Sequence, residues 1–268
     1  MEEDFLERTK KAFNKASAGY DTDENSNPIL KWMRGIVHTV YLKYLNEGDE
    51  ILELNSGTGI DAVYLAEHGM KVISTDISDS MINIIKEKTR TLGLEDKISA
   101  ENLSFSRICE IKSNNFKAVL SNFGGLNCIN EFSGLSSDIY EKLETGGYFI
   151  AVVMNKFCPW EIFYYLLKLD IKNAFRRFKK AGVDAIINGE KVRTYYFSPY
   201  EFGRIFEDKF CVKKIYTLGN YTPPPYLIGI YNRLKPLSSI FIKIENLFKG
   251  VPVYNYFGDH FIIIMQKK

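Results

Sequence analysis

The chain has 268 residues, 46% of them hydrophobic, and its 35 basic and 33 acidic side chains leave a formal net charge of +2. This length suits one α/β domain with an elaboration, or one domain and a small lobe. The balanced charge argues against a nucleic-acid partner, because domains that bind nucleic acids are usually strongly basic.

Cysteine usage and the N-terminus both predict a cytoplasmic protein. The four cysteines lie far apart with no C-x-x-C pair, so the sequence predicts neither a disulfide framework nor a zinc site, and no other metal centre is expected. The N-terminus is acidic where a signal peptide would be basic. The longest uncharged run, residues 215–232, contains three consecutive prolines and several polar residues, so no transmembrane segment is predicted.

Residues 1–46 are predicted to form two helices. Apolar residues recur at helical spacing over residues 5–16, and again from Pro28 onward, where proline suits the first turn of a helix. Between the two helices, a segment that contains Tyr20 and Asp21 is predicted to be a loop.

Residues 50–66 predict a buried strand, a glycine-bearing turn and a helix. A short apolar run precedes the turn, and small and apolar residues repeat at helical spacing after it. The free backbone N–H groups and the dipole at such a helix start favour a nucleotide-type ligand. Gly57 and Gly59 have no Cβ, so a ligand can lie directly against the chain there.

Two acidic residues narrow the choice of ligand. Gly57, Gly59 and Ala62 satisfy G-x-G-x-x-G/A, which permits a dinucleotide. Glu53, however, would repel a pyrophosphate and can pair with an ammonium group. Asp76 ends the predicted second strand, where a carboxylate can take both hydroxyls of a ribose. The two acids therefore favour a ligand with a ribose, a cationic amino-acid end and no phosphate, which describes S-adenosylmethionine.

The sequence resembles the class I S-adenosylmethionine-dependent methyltransferases, and especially the small-molecule enzymes of ubiquinone/menaquinone biosynthesis and the malonyl-carrier methyltransferases. The first motif of that family, E/D-x-G-x-G-x-G, is matched by Glu53-Leu-Asn55-Ser56-Gly57-Thr-Gly59. Asn55 replaces the first glycine, a tolerable change because asparagine readily adopts the left-handed backbone conformation. The likeness extends over residues 12–153.

The second family motif is an acid that closes the second strand, followed by a serine and a methionine. It is matched by Asp76-Ile77-Ser-Asp-Ser-Met81. Asn102 stands where the family usually has an aspartate near the adenine N6, and its amide oxygen can accept the same hydrogen bond. In the resembled enzymes, the N-terminal helices cover the cofactor and a Tyr-Asp pair closes the pocket. Tyr20 and Asp21 match that pair in this sequence.

The resemblance implies a Rossmann-like, seven-stranded, mostly parallel sheet with an antiparallel last strand, helices on both faces and a C-terminal helical and hairpin cover over the substrate. The implied cofactor is S-adenosyl-L-methionine. The residues expected to bind it come from the two motifs, the N-terminal helices and the ends of the third and fourth strands: Tyr20, Glu53, Asn55, Ser56, Gly57, Gly59, Asp76, Ile77, Met81, Asn102, Leu103, Asn122, Phe123 and Gly124.

The fourth predicted strand runs into Asn122-Phe-Gly-Gly, where two glycines let a substrate approach at the carboxyl edge of the sheet. This segment lacks the two prolines of the D/N-P-P-Y motif that methylases of adenine or of glutamine amides carry, which argues against nucleic-acid and protein-amide substrates. The residues predicted to contact substrate are Gly125, Asn127, Tyr195 and Tyr196. Tyr20 and His260 are the candidate catalytic bases, although methyl transfer does not require a base.

The C-terminal half is predicted to add a cover to the core. Residues 160–180 predict a single helix with a basic stripe, interpreted as a solvated face. Asn188-Gly189 between two alternating segments predicts a hairpin. An insertion at residues 218–258 separates the last two strands and contains a helical stretch at residues 237–248. A membrane-surface role for this stretch is a minority interpretation, permitted by Arg233, Lys243 and Lys249.

Four segments follow from this division. Residues 1–46 would cover the cofactor, residues 47–157 form the cofactor-binding core, residues 158–258 supply the substrate cover with the sixth strand, and residues 259–268 form the final core strand.

The predicted function is transfer of a methyl group to oxygen, carbon or nitrogen of a small, largely apolar or aromatic metabolite or carrier-bound group. The alternatives are a non-catalytic cofactor-binding scaffold or sensor of the same fold, a nucleic-acid methyltransferase and a nicotinamide enzyme. The substrate, the acceptor atom and the oligomeric state stay open at this point.

Overall fold

The computed structural model describes residues 2–248 and 250–268, which contain a seven-stranded sheet and a separate two-stranded hairpin. The nine strands are β1 Glu50–Leu54, β2 Lys71–Asp76, β3 Ile98–Asn102, β4 Phe116–Ser121, β5 Leu143–Met154, β6 Val183–Ile187, β7 Glu190–Thr194, β8 Phe210–Leu218 and β9 His260–Lys267. The large sheet has the order β3-β2-β1-β4-β5-β9-β8, and β6 pairs with β7 in the hairpin.

The direction of the strands confirms the predicted fold. Strands β3, β2, β1, β4 and β5 are parallel to their neighbours, whereas β9 is antiparallel to both β5 and β8. The chain moves outward from β1 to β3 and then returns to the other side of β1 with β4. Loops after β1 and β4 therefore leave in opposite directions, which opens a crevice at the carboxyl ends of these two strands.

Helices cover both faces of the large sheet. They are α1 Glu2–Ser26, α2 Pro28–Tyr41, α3 Ile60–Glu67, α4 Asp79–Leu92, α5 Ser133–Lys142, α6 Pro159–Leu167, α7 Ile171–Ala174, α8 Pro199–Ile205, α9 Ile228–Arg233 and α10 Lys235–Phe248. Side chains alternate between faces along a strand. Ile51 therefore packs in the core beneath α2 and α3, whereas Leu52 and Leu54 pack in the core on the opposite face.

The structure corrects the predicted loop at Tyr20 and Asp21, because α1 continues without a break to Ser26. The Asp21 carboxylate accepts a hydrogen bond from Thr58 Oγ1 at 2.5 Å and pairs with Lys88 Nζ at 2.6 Å. These partners lie far away in the sequence. The local apolar pattern that ends near residue 16 therefore could not reveal that the polar turns stay helical.

The single helix predicted for residues 160–180 is also wrong. Helix α6 ends at Leu167, Leu169 takes a left-handed φ of 58°, and α7 is followed by a short 3-10 helix at Arg176–Phe178. Arg176 belongs to the predicted solvated stripe, yet its Nε donates to the buried Glu161 carboxylate at 2.7 Å.

The hairpin prediction is confirmed. Asn188 and Gly189 have φ values of 46° and 82°, the positive values that a two-residue type I′ turn requires. Helix α1 packs against this hairpin, and Lys15 Nζ reaches the Glu190 carboxylate of β7 at 2.6 Å.

Helices α9 and α10 lie in the insertion between β8 and β9. None of the described helices is long and apolar enough to span a membrane. Lys249, which the sequence associated with a membrane-surface role, lies outside the described residues.

Candidate active site

A cavity of about 350 Å³ opens at the carboxyl ends of β1, β2, β4 and β5, beneath α1 and the hairpin. Its volume is within the range typical of sites for small ligands. Most of the residues predicted to bind cofactor or substrate line it: Tyr20, Asn55, Gly57, Asp76, Ile77, Met81, Leu103, Asn122, Phe123, Gly124, Gly125 and Tyr196. The others lie behind or beside the wall: Glu53, Ser56, Gly59, Asn102, Asn127, Tyr195 and His260.

The floor of the cavity begins at the turn after β1. Asn55 has a φ of 46°, as expected for the residue that replaces the first glycine of the motif. Its Nδ2 donates to the Asn122 carbonyl at 2.9 Å, and its Oδ1 accepts from Ser121 Oγ at 2.7 Å. A Cβ on Gly125 would overlap the Asn55 side chain. Asn55 therefore joins the turns after β1 and β4 into one surface.

Asp76 places a carboxylate in the wall at the end of β2. Its Oδ2 accepts from the Gly57 backbone N–H at 2.9 Å, and its Oδ1 accepts from the Ser78 backbone N–H at 2.8 Å. Burial raises the pKa of Asp76 to about 6, even though these backbone N–H groups favour the charged form. Both oxygens keep lone pairs for further donors, such as two neighbouring hydroxyls.

Glu53 is placed differently from the sequence-based expectation. It is buried in β1 behind the wall and accepts a hydrogen bond from Ser74 Oγ at 2.9 Å. Burial, together with the nearby Asp61 carboxylate, raises the pKa of Glu53 well above its usual range. Burial therefore favours the neutral form of Glu53, and its carboxyl group is not part of the cavity wall. Its predicted pairing with an ammonium group stays a prediction.

Helix α1 forms the roof. Tyr20 packs over Gly57 and is enclosed by its surroundings. Burial raises the pKa of Tyr20 to about 12, so the phenol keeps its proton at neutral pH and can donate a hydrogen bond. Three apolar residues of this helix also line the cavity: Phe5, Leu6 and Phe13. The sequence predicted that they face inward but assigned them no role in the site.

The wall after β2 and β3 is apolar. Ile77, Met81 and Leu103 line it, as predicted, and Phe105 extends it. Asn102 sits behind this wall, where its Nδ2 donates at 3.0 Å to the carbonyls of residues 76 and 77. Asn102 therefore holds the loop that carries Asp76, while its proposed contact with adenine stays a prediction.

The structure places the predicted substrate contacts Asn127 and Tyr195 outside the wall of the central cavity. The side-chain amide of Asn127 forms hydrogen bonds with the backbone: it donates to the Tyr195 carbonyl at 2.5 Å and accepts from the Met154 N–H at 2.8 Å. Asn127 thereby ties the hairpin segment to the sheet. Tyr195 faces a neighbouring cavity of about 710 Å³, whereas Tyr196 faces the central one. The two cavities share apolar wall residues, so the larger one forms a vestibule.

His260 is not among the residues that line the central cavity. Its Nδ1 lies 3.0 Å from Asp259 Oδ2, close enough for an ion pair but outside hydrogen-bond geometry. Although burial opposes it, the charges of His260 and Arg177 hold the pKa of Asp259 well below its usual range. His260 therefore belongs to a buried charged cluster. Its ring packs against Phe123 of the cavity wall, with 5.9 Å between the ring centroids, and its predicted role as a base stays a prediction.

A second buried network, which sequence reasoning missed, supports the turn after β4. Asp61 accepts from Arg34 Nη1 at 2.7 Å, pairs with His38 Nε2 at 2.7 Å and accepts from Asn122 Nδ2 at 2.5 Å. The Arg34 guanidinium also lies 4.6 Å from the centre of the Phe123 ring. Since Asn122 and Phe123 line the cavity, this network fixes part of its wall.

The crossover sheet, the glycine turn, the buried carboxylate at the end of β2 and the covered apolar cavity are the features expected of a class I S-adenosylmethionine-binding domain. Residues 51–147 match a family described as a methyltransferase domain. These residues are thus similar to a methyltransferase domain, and the chain as a whole has the fold of S-adenosylmethionine-dependent methyltransferases.

One similar protein is the demethylmenaquinone methyltransferase of Bacteroides fragilis, 30% identical over 160 residues, which are 56% of this chain and 61% of the relative. The chain thus spans about three fifths of that relative.

Two solved structures share the fold. An S-adenosylmethionine-dependent methyltransferase from Methanosarcina mazei has a TM-score of 0.56 at 19% identity, with 85% of this chain and 96% of the other covered. The [4+2]-cyclase SpnF has a TM-score of 0.56 at 15% identity, with 87% and 80% covered.

Proposed function

We propose that this protein transfers the methyl group of S-adenosylmethionine to a small, neutral and largely apolar acceptor. The observation that carries this proposal is the chemistry of the wall: among the described residues that line the central cavity, only Asp76 is an acidic or basic side chain. An anionic acceptor would therefore find no positively charged side chain in this wall. The name of the Bacteroides fragilis relative, which refers to demethylmenaquinone, supports an apolar acceptor as well.

The residues present fit the cofactor. Asp76 would take the ribose hydroxyls, the Gly57 turn lets the nucleoside lie against the backbone, and Ile77 and Leu103 offer apolar surface to a flat base. When bound, the cofactor supplies an electrophilic methyl group on a sulfonium. The protein's own contribution is alignment and exclusion of water, which can supply roughly 7–11 kcal/mol of rate enhancement.

The wall offers no group suited to act as a base at neutral pH. Tyr20 keeps its proton, and burial raises the pKa of the Cys128 thiol to about 12. Asp76 is engaged by backbone N–H groups and reserved for the ribose. The acceptor is therefore proposed to be nucleophilic without prior loss of a proton, as an electron-rich carbon would be.

A second candidate is a protein that holds the cofactor without transferring its methyl group. The same lack of a base favours it, and the [4+2]-cyclase shows that this fold also serves another reaction. Incubation with methyl-labelled S-adenosylmethionine and a lipid-soluble cell extract separates the two. Label in an extracted product supports transfer, whereas cofactor binding without any labelled product supports the second candidate.

Replacement of Asp76 by alanine is expected to weaken binding of S-adenosylhomocysteine at least tenfold, because the ribose hydroxyls lose a charged acceptor. Isothermal titration calorimetry measures this effect. Asp79→Ala is the matched control, since Asp79 lies three residues further on and forms its ion pair with Lys10 instead. Equal affinity in the two variants would contradict the assignment of Asp76.

Cofactor affinity is expected to fall as the pH drops through about 6, the raised pKa of Asp76. At about pH 5 roughly one tenth of the unliganded protein carries the ionised carboxylate, so the apparent Kd should be roughly tenfold higher than at neutral pH. The stability of the unliganded protein should change in the opposite direction. The folded pKa of Asp76, about 6, lies above the unfolded value near 4, so the buried carboxylate costs stability above about pH 6. This cost fades as the pH falls toward 4. Asp76→Asn should bind weakly and without this pH dependence.

A further inference from the structure

The turn between α6 and α7 projects a group of apolar side chains into solvent. Leu169 is 90% exposed, Leu167 70%, Ile171 68% and Phe163 60%, and Phe175 lies on the same segment with nearly half of its surface exposed. We call these five residues the apolar tip. Exposed apolar groups concentrated on one short segment indicate a contact surface, in contrast to isolated surface leucines.

The backbone of the apolar tip is ordered by specific hydrogen bonds. Leu169 adopts a left-handed φ of 58° directly after the end of α6, a position where glycine or asparagine is usual. Asp170 then caps α7, because its carboxylate accepts from the Asn173 N–H at 3.0 Å and from Asn173 Nδ2 at 2.6 Å. Because the Leu169 side chain is nearly fully exposed, packing in the core does not offset this backbone strain. The strain therefore suggests that Leu169 contacts something outside the protein.

A buried ion-pair cluster anchors the other side of this segment. Glu161 of α6 accepts from Arg177 Nη2 at 2.8 Å, and the same Nη2 lies 2.6 Å from Asp259 Oδ1. The Arg177 guanidinium also lies 4.8 Å from the centre of the Tyr196 ring in the cavity wall. The segment that carries the apolar tip is therefore held in place by these buried ion pairs, next to the central cavity.

The exposed charge of the segment that carries the apolar tip is mainly positive. Residues 159–180 contain exposed lysines at 168, 172, 179 and 180. The two acids of this segment are Glu161, which is buried against Arg176 and Arg177, and the capping Asp170. Exposed lysines on the same segment as an apolar protrusion provide both contributions to binding at a lipid interface, buried apolar area and attraction to anionic headgroups.

We propose that this surface docks the protein on anionic lipid bilayers, with the apolar tip inserted among the acyl chains and the lysines at headgroup level. A second copy of the chain is a poorer occupant, because a symmetric contact would bring the two sets of lysines together. The proposal is independent of the proposed methyl transfer. It also places the membrane-facing surface at α6 and α7, and not at the stretch of residues 237–248, for which a membrane-surface role was the minority interpretation.

Vesicle flotation tests the apolar part of this surface. The full chain should float with vesicles of neutral and anionic phospholipid and stay unbound with purely neutral ones. Leu169→Glu/Ile171→Glu should reduce the bound fraction at least tenfold. Leu42→Glu/Leu92→Glu, at two exposed leucines on other helices, is the control and should float like the wild type.

A second pair of variants tests the charge. Lys168→Glu/Lys172→Glu should reduce vesicle binding at least tenfold, since each lysine near an anionic surface is worth roughly fivefold in affinity. Lys86→Glu/Lys112→Glu makes the same change of net charge at exposed sites elsewhere and should have a much smaller effect. Circular dichroism melts confirm that each variant is folded.

Three results would overturn the proposal. The first is a wild-type protein that fails to float with anionic vesicles. The second is unchanged flotation of the folded Leu169→Glu/Ile171→Glu variant. The third is a dimer in sedimentation that this same variant dissociates, because the apolar tip would then be covered by a second copy of the chain.

Discussion

Replacement of Arg177 by leucine is expected to lower the free energy of unfolding by about 3–5 kcal/mol, the cost of breaking a buried ion pair from one side. The Arg177 guanidinium is buried and pairs with Glu161 and Asp259 at 2.8 and 2.6 Å. Its Nη1 also donates to the Asn155 carbonyl at 2.9 Å. Leucine fills some of the volume but leaves the buried Asp259 carboxylate without this cation and Glu161 with Arg176 alone.

Urea unfolding measures this loss, with Arg193→Leu as the control. Arg193 also forms an ion pair, with Asp184 at 2.6 Å, but both side chains are well exposed. Its removal should therefore cost no more than about 1 kcal/mol. Similar losses in the two variants would show that burial adds nothing to the Arg177 cluster.

The acid dependence gives a second measurement of the same cluster. Although burial opposes it, Arg177 helps to hold the pKa values of Glu161 and Asp259 below their usual ranges. A depressed folded pKa stabilises the protein above the unfolded value near 4, and this stabilisation is lost as the pH falls through the folded pKa. The stability difference between wild type and Arg177→Leu should therefore shrink below about pH 4.

The parts of the cavity wall that could be placed from the sequence are encoded within a few consecutive residues. The apolar strand, Asn55, Gly57 and the helix that follows define a turn whose backbone conformation depends on local residue types. Asp76 could be placed for the same reason, because it ends a strand that lies beside β1 in a parallel sheet. Local chemistry and the topology of a parallel sheet were sufficient there.

The environment of Glu53 could not be read in the same way. Its side chain belongs to the face of β1 that carries Ile51, and its partners are Ser74 on β2 and the Asp61 carboxylate. The alternation of side chains along the strand was an available signal. The protonation of Glu53, however, depends on groups that only the fold brings together.

The turn at Leu169 illustrates a different limit. No glycine or proline interrupts residues 160–180, so apolar periodicity favoured one continuous helix. The break between α6 and α7 is stabilised by the Asp170 cap and by the ion pairs of Arg177 with Glu161 and Asp259. Asp170, a typical N-cap residue inside the predicted helix, was the one local signal that α7 begins there.

Replacement of Arg34 by methionine is expected to cost about 3 kcal/mol of stability and to weaken S-adenosylhomocysteine binding severalfold. Arg34 pairs with Asp61 at 2.7 Å and with Glu24 at 2.6 Å in a buried setting. Although burial would raise it, the charges of Arg34 and His38 hold the pKa of Asp61 well below its usual range. Without Arg34, Asp61 should take up a proton more readily and hold Asn122 less firmly.

A double-mutant cycle with Asp61→Asn separates support of the site from general stability. Arg34→Met/Asp61→Asn removes both charges, so it should recover part of the stability that either single change loses. Cofactor affinity should stay low in all three variants, because none of them keeps both the ion-paired carboxylate that holds Asn122 and the cation that lies over Phe123. Wild-type affinity in a destabilised Arg34→Met protein would mean that the network supports the fold without shaping the cavity.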